Sequence, residues 1–504
     1  MCDMNAKIIL AAVAALTALA AGAETTSENT QADQGRPLAA RKGCVVVDRT
    51  ARKGPIKPMN AVCNGPHCTD TNATDQFMSN AHTYRMARIP FARTHDAAFY
   101  NNYGGEHAVD ISAIFPDFSK DDRDPASYDF TLTDRYLENI RRAGTEPFFR
   151  LGQKIEHLPK KYGILPPPDF DKFARVCDRI VAHYNDGWAN GFRWNVRYWE
   201  IWNEPDLDTE KGANVRLNEK GLAANPRCWG GSEEQFFDLY EKTAKLLKKN
   251  HPECRIGGPA VAYRKDWTRR FLAEMRRRGV PMDFFSWHLY TRTPRILAKT
   301  CADYDRLIAE SGYDRTKVES ICNEWNYARN WQGGFVQNLR LMQGLHGAAF
   351  AAGCLCAGQD APVDMLMYYD ARPSGFNGLW DAQLEPRKGY WAFYAWSKLV
   401  RLGTQVAVTT EGLGDRIYAV AATDAKGGKV GVLVVRYMEQ TEDEYVLGPK
   451  PVTVALARGS LAGARCHLTD TPMTYSEFEP ETLADGSLVF MLEPQSFVYI
   501  EKEL

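Results

Sequence analysis

Val196-Arg197-Tyr198-Trp199-Glu200-Ile201-Trp202-Asn203-Glu204-Pro205 is a short aromatic and aliphatic run that closes on an amide, a carboxylate and a proline. Residues of that kind suit a strand, and the proline stops it. Before it, Phe170, Phe173, Val176, Ile180 and Tyr184 fall on one face of a helix over Asp169 to Tyr184. After it, Ser232 to Lys249 forms a second helix, opened by a Ser232/Gln235 capping box and ended by Asn250 and Pro252. Helix, strand, helix is the repeating unit of a parallel sheet.

The alternation continues in both directions. Ile56 to Cys63, Ile89 to Arg93 and Glu146 to Leu151 are strand-like runs upstream, the last preceded by a helix over Thr131 to Ala143. Downstream come Arg255 to Gly258, Asp283 to Trp287, Lys317 to Cys322 and Asp364 to Tyr369, with helices expected over Trp267 to Arg278, up to Gly312, and over Gly334 to Ala357. Eight strands in this rhythm predict an α/β fold of the (β/α)8 TIM-barrel type over residues 55–398. Two long insertions, Tyr100 to Ser127 and Asp206 to Gly231, follow the second and fourth strands, on the face where such barrels carry their sites. From Gln405 onward the chain breaks into short alternating runs parted by Gly, Pro and Asp, which predicts a C-terminal antiparallel β-sandwich domain over residues 399–504. A lone strand within residues 44–54 is expected to join it.

The length of 504 residues fits one large domain and a smaller one. With a net charge of −1 and no basic tract, nucleic acid is not an expected partner. Lys7, the apolar run Ile8 to Ala20 and the small residues Ala21-Gly22-Ala23 predict a signal peptide over residues 1–23, cut after Ala23, hence a secreted or periplasmic protein. The polar stretch 24–43 then reads as a disordered lead. No other stretch reaches the ~20 apolar residues of a membrane span. Of the 12 cysteines, one leaves with the signal peptide, and the odd remainder excludes a full disulfide framework. Cys63 and Cys68 are placed to close a small loop or to stay a free pair.

A second Asn-Glu pair closes Val318-Glu319-Ser320-Ile321-Cys322-Asn323-Glu324-Trp325-Asn326. Each pair ends a strand-like run and is flanked by tryptophan. Two carboxylates at strand ends, beside amides and indoles, are what hydrolysis of a glycosidic bond requires: one protonates the leaving oxygen, the other attacks or activates water. The alternative is a pair of solvated surface glutamates. The histidines lie singly and no carboxylate cluster accompanies them, so neither a metal site nor a cofactor is expected, and the partner is a carbohydrate.

With Trp202-Asn203-Glu204-Pro205, Phe285-Ser286-Trp287-His288-Leu289-Tyr290, Asn323-Glu324-Trp325-Asn326, Gly378-Leu379-Trp380-Asp381 and Tyr390-Trp391-Ala392-Phe393 laid out, the chain from about Cys44 onward resembles clan A glycoside hydrolases, most closely family 39, which holds β-xylosidases and α-L-iduronidases. The resemblance implies a barrel joined to a β-sandwich, with Glu204 as acid/base and Glu324 as nucleophile of a retaining double displacement. Arg93 resembles the clan's arginine beside the nucleophile; a structural ion pair is the alternative. Asn203 suits the sugar 2-hydroxyl, or a helix cap. His288 and Tyr290, two apart on a strand, face one side and match residues that contact the two carboxylates. A satisfied core histidine is the alternative for His288. His95 is a similar candidate for sugar hydroxyls, Trp325 and Trp380 are either stacking walls or plain packing, and Tyr369 with Asp370 closes the eighth strand. The expectation is an exo-acting enzyme on terminal sugars, against an endo-acting clan A glycanase or an inactive carbohydrate-binding barrel.

Overall fold

The computed structural model describes residues 43–67, 79–97, 107–209, 216–331, 333–410, 412–414, 416–439 and 448–504. The expected signal peptide, all of the polar lead except Gly43, and Cys68 lie outside these residues. Strand β1 (Cys44–Pro55) opens the described chain. Eight parallel strands then close a barrel: β2 (Ala61–Cys63), β3 (Phe91–Arg93), β4 (Glu146–Leu151), β5 (Tyr198–Ile201), β6 (Arg255–Val261), β7 (Phe284–Thr291), β8 (Glu319–Tyr327) and β9 (Met365–Tyr368). Each overlaps a run picked out in the sequence, with β6, β7 and β8 running three to five residues further than expected.

Alternation along each strand explains why these residues form a barrel. Phe148 and Tyr198 face the lumen, where they stack with ring centroids 5.0 Å apart, and Phe91, Phe284 and Ile321 complete that buried layer. Their neighbours Phe149 and Trp199 point outward and pack under the helix Phe170–Asn185. Period-two side chains that are apolar on both faces are the mark of a sheet covered by helices. Gly257 is required where β6 meets β7, because a Cβ there would lie 2.2 Å from the Phe284 carbonyl oxygen.

The helix Glu233–Asn250 has the expected capping box, with Ser232 and Gln235 bonded reciprocally. The stretch over Gly334 to Ala357 departs from expectation. It forms two helices, Phe335–Gln343 and Leu345–Asp360, bent by 73° at Gly344. Gly344 has an extended backbone there (φ −100°, ψ −167°), which no helix interior accommodates. Among the described residues no single helix is long and apolar enough to cross a membrane.

The remaining strands are β10 (Thr404–Thr409), β11 (Ile417–Thr423), β12 (Lys429–Arg436), β13 (Lys450–Leu456), β14 (Arg465–Thr469), β15 (Ser476–Phe478), β16 (Glu481–Thr482), β17 (Leu488–Leu492) and β18 (Ser496–Glu503). With β1 they make a ten-stranded sheet in the order β15-β14-β18-β12-β11-β10-β1-β13-β17-β16. β1 pairs antiparallel with β10 and parallel with β13. The sheet folds over its own face, so Val432 and Val434 share one apolar core with Val452, Val454 and Leu488. Leu433 and Val435, on the opposite face of β12, belong to the core of the barrel's helical layer. That anchoring places the sheet against the outside of the barrel.

Candidate active site

One step beyond the aromatic layer, the barrel interior changes chemistry. Arg93, Arg150 and Glu200 follow Phe91, Phe148 and Tyr198 by two residues and are fully buried. The same pleat that turns the aromatics inward therefore turns these charges inward.

Both Asn-Glu pairs escape simple alternation by local backbone devices. In β8 the pairing with β7 slips between Trp287 and His288, so that Asn323 is bulged out of register. A bulge lets two successive side chains face one side. Asn323 and Glu324 accordingly both point into the lumen, while Trp325 points out. After β5, Trp202 and Glu204 adopt left-handed φ values of 75° and 49°. Non-glycine residues held in that region cost of order 1–3 kcal/mol each, and they concentrate at functional sites.

The two carboxylates lie together. Glu204, His288 and Glu324 each offer an atom within 4.8 Å of the other two. His288 Nδ1 is 2.9 Å from Glu204 Oε1 and 3.6 Å from Glu324 Oε2. Facing two carboxylates, Nδ1 is the ring nitrogen that carries the proton. Burial pushes the imidazole pKa down to about 4, which keeps the ring neutral near pH 7. Three ligating groups at this spacing would suit a cation, but both Glu324 oxygens are already occupied. Arg93 Nη1 donates to Oε2 at 3.2 Å and Tyr290 Oη donates to Oε1 at 2.6 Å.

Glu204 has fewer partners. Besides His288 it meets the Cys228 thiol, with Sγ 3.8 Å from Oε2. Burial pushes its carboxyl up to about 7; Arg227 and Arg93 oppose this, and Asp96 and Asp208 add to it. Burial also raises Glu324 above the ordinary carboxylate range and Glu204 adds to this, with His288, Arg93 and the Tyr290 hydrogen bond pulling back. Asn203 accepts from Arg93 Nη2 at 2.7 Å through Oδ1. Arg offers only donors, so this contact fixes the amide orientation and leaves Nδ2, which has no protein partner, as a donor.

Arg93, Asn203, Glu204, His288, Tyr290 and Glu324 thus come together in one cluster. His95 is buried beside them, its Nε2 3.6 Å from Asp96 and both ring nitrogens without a hydrogen-bond partner. Tyr369 places its hydroxyl 3.4 Å from Asp96, and Asp370 pairs with Arg372 and Asn64 instead of the carboxylate pair. Cys63 is a free buried thiol donating to the Asn323 carbonyl.

Trp325 and Trp380 are not stacking walls. Trp325 is buried among the outer residues Phe350 and Tyr368, because β8 runs on to Tyr327 and alternation turns it outward. Trp380 stacks on Tyr84 at 4.9 Å and donates its indole N–H to Thr83. Trp202 likewise packs outward, edge-on to Trp229.

Three residues were not singled out in the sequence. Glu200 accepts from Arg93 Nε at 2.7 Å. Asp208 accepts the backbone N–H groups of Arg227, Cys228 and Trp229, and so holds the segment that brings Cys228 to Glu204. Trp331, 55% exposed, stands edge-on to Tyr290 with centroids 4.8 Å apart and stacks on Phe335. An indole in a polar loop just past a strand that carries a carboxylate was the available signal for it.

A family model described as glycosyl hydrolases family 39 matches residues 45–326. A β-xylosidase of Geobacillus stearothermophilus is 30% identical over 176 residues, covering 32% of this chain and 31% of the relative. A β-xylosidase of Caldicellulosiruptor saccharolyticus is 27% identical over 201 residues, 38% of this chain and 36% of the relative. The chain therefore spans about a third of the length of these curated relatives. Among solved structures, a glucosidase from Croceicoccus marinus superposes with a TM-score of 0.69 at 21% identity, covering 92% of this chain and 99% of that one. A monomeric β-xylosidase from Caulobacter crescentus gives 0.63 at 16% identity, covering 91% and 99%. Both likenesses are of fold.

Proposed function

The chain belongs to glycosyl hydrolase family 39, and from that premise we propose that it is a retaining glycoside hydrolase that removes terminal sugars by double displacement. One observation carries the reading: two buried carboxylates with oxygens within 4.8 Å of each other have different partners, an arginine and a tyrosine hydroxyl on Glu324 and a histidine and a thiol on Glu204. Retaining enzymes hold the pair about 5–5.5 Å apart, whereas inverting enzymes leave roughly 6.5–9.5 Å for a water.

Glu324, held by an arginine and a tyrosine hydroxyl, is the nucleophile. Its charge is met by donors on both oxygens, so it stays ionised and aimed at the anomeric carbon. Glu204, with its carboxyl pushed up to about 7, is the acid that protonates the leaving oxygen. Once Glu324 is esterified its negative charge is gone, and Glu204 deprotonates more readily to serve as base for the incoming water. Asn203 Nδ2 donates to the 2-hydroxyl, where a hydrogen bond strengthens in the oxocarbenium-like transition state.

The two relatives named β-xylosidases favour a xyloside as substrate, and the long insertions after β3 and β5 favour a pocket over an open cleft. Aryl glycosides of both anomers test this directly. The product of the best substrate, followed by NMR from the first turnover, keeps its anomeric configuration on this account; an inverted first product refutes it. Export through the segment Lys7 to Ala23 belongs to the same proposal, and N-terminal sequencing of protein recovered outside the cytoplasm should begin at Glu24.

A further inference from the structure

We propose that Glu200 is the positioning residue for both carboxylates, balancing through Arg93 the charge felt by Glu324 and fixing through Ser286 the backbone that carries Glu204. The proposal rests on the assignment of Glu324 as nucleophile.

Glu200 is fully buried in the lumen, and both of its oxygens are engaged. Oε2 accepts from Arg93 Nε at 2.7 Å, and that guanidinium also donates to Glu324 and Asn203. Oε1 accepts from Ser286 Oγ at 2.6 Å and from Asn323 Nδ2. A single carboxylate on β5 therefore ties together β3, β7 and β8.

Two routes lead from it to the reacting groups. The first is electrostatic. Arg93 is one cation between two carboxylates. The Glu200 carboxylate against Nε offsets part of the guanidinium charge, so Glu324 is oriented by Arg93 without being fully neutralised and stays nucleophilic. The second is mechanical. Ser286 Oγ, while donating to Glu200, accepts the Ala260 N–H at 2.9 Å, and the Ala260 carbonyl accepts the Glu204 N–H at 3.0 Å. Ala260 and Glu204 both have left-handed φ values, 58° and 49°. This hydrogen-bonded chain holds the strained turn that aims Glu204. The charged and titratable groups facing Glu200 are Arg93 from β3, its register partner Arg150 from β4, His288 from β7, Glu324 beyond Arg93 on β8, and the Tyr240 phenol from the helix Glu233–Asn250.

The test is Glu200→Gln in the full chain, read as the pH profile of kcat/KM on an aryl glycoside. Gln keeps the volume and accepts from Arg93. Its amide N–H2 can meet Asn323 Oδ1, which has no partner in the protein, once that amide turns. The expected result is an acid limb moved to lower pH, since the uncancelled guanidinium now favours ionised Glu324. A fall in kcat of about 10–100-fold at nearly constant KM accompanies it, the size expected of a small misplacement of reacting groups. An acid limb that stays in place overturns the proposal, whether activity is kept or lost. Ser286→Ala keeps the Glu200 charge and cuts only the mechanical route, and it decides the matter if Glu200→Gln does not fold. It should lower kcat about tenfold without moving the acid limb, and an unchanged kcat overturns the proposal. Should Glu324→Ala retain wild-type turnover, the nucleophile assignment fails first. With that variant dead and the Glu200→Gln limb unmoved, only the role of Glu200 fails.

Discussion

The lower and upper layers of the barrel interior are built on the same strands, two residues apart, and have opposite chemistry. Phe91, Phe148, Tyr198, Phe284 and Ile321 fill the lower layer with rings and methyls. Arg93, Arg150, Glu200, Ser286 and Asn323 occupy the upper one, equally buried. Burying the first set is favourable by about 1.5–3 kcal/mol per large side chain. Burying the second is tolerated only where charges are paired and hydrogen-bonded, as Arg93 is with Glu200 and Arg150 is with Asp110 at 2.7 Å. Position in the lumen is thus common to both layers, and side-chain chemistry alone divides scaffold from site.

Substitutions in the two layers should separate activity from stability. The largest effect is expected at Glu324, which follows Asn323 of the upper layer and is held by Arg93. Glu324→Ala should lower turnover by at least about 10⁴-fold on every glycoside, whatever its leaving group, while the unfolding transition is maintained; retained turnover on good leaving groups would contradict the division. In the lower layer, Phe148→Ala should cost about 3–5 kcal/mol of stability by leaving a cavity, measured by urea unfolding, with kcat per folded molecule nearly unchanged. A stable but inactive Phe148→Ala protein would break the comparison from the other side.

The pH profile is a finer probe of the carboxylates above the upper layer. An acid must be protonated to act, so activity that depends on Glu204 is present below its pKa and lost as pH rises through it. The alkaline limb of kcat/KM is therefore expected near pH 7. In Glu204→Gln that limb should vanish from whatever activity remains. The smallest effect belongs to Trp331, outside both layers. Trp331→Ala should raise KM about 2–10-fold, the worth of one aromatic contact, with Tm unmoved because the ring is largely exposed. An unchanged KM removes Trp331 from the sugar site.

The barrel was legible because strand runs from β4 onward alternate with amphipathic helices, and the lumen face of β7 because His288 and Tyr290 obey a period of two. The failures have local causes. Reading the seventh strand as ending at Cys322 left Trp325 free to face the site, but β8 continues to Tyr327 and a bulge at Asn323 resets which side chains point inward. Nothing in the residue types of Cys322-Asn323-Glu324 announces a bulge. Glu200 is masked in the sequence by the apolar run around it, although its place between two outward-facing aliphatic or aromatic neighbours, Trp199 and Ile201, puts it in the lumen. Gly344 was visible as a glycine inside a helical stretch, but an isolated glycine there is compatible with a continuous helix.

Azide rescue of Glu204→Ala on an aryl glycoside with a good leaving group tests the division of labour between the two carboxylates most directly. Such a leaving group needs little protonation, so the glycosyl-enzyme on Glu324 should form and accumulate, and azide, which needs no general base, should attack it. The account predicts restored turnover and a glycosyl azide of retained anomeric configuration. A glycosyl azide of inverted configuration would show Glu204 to be the nucleophile and contradict the assignment.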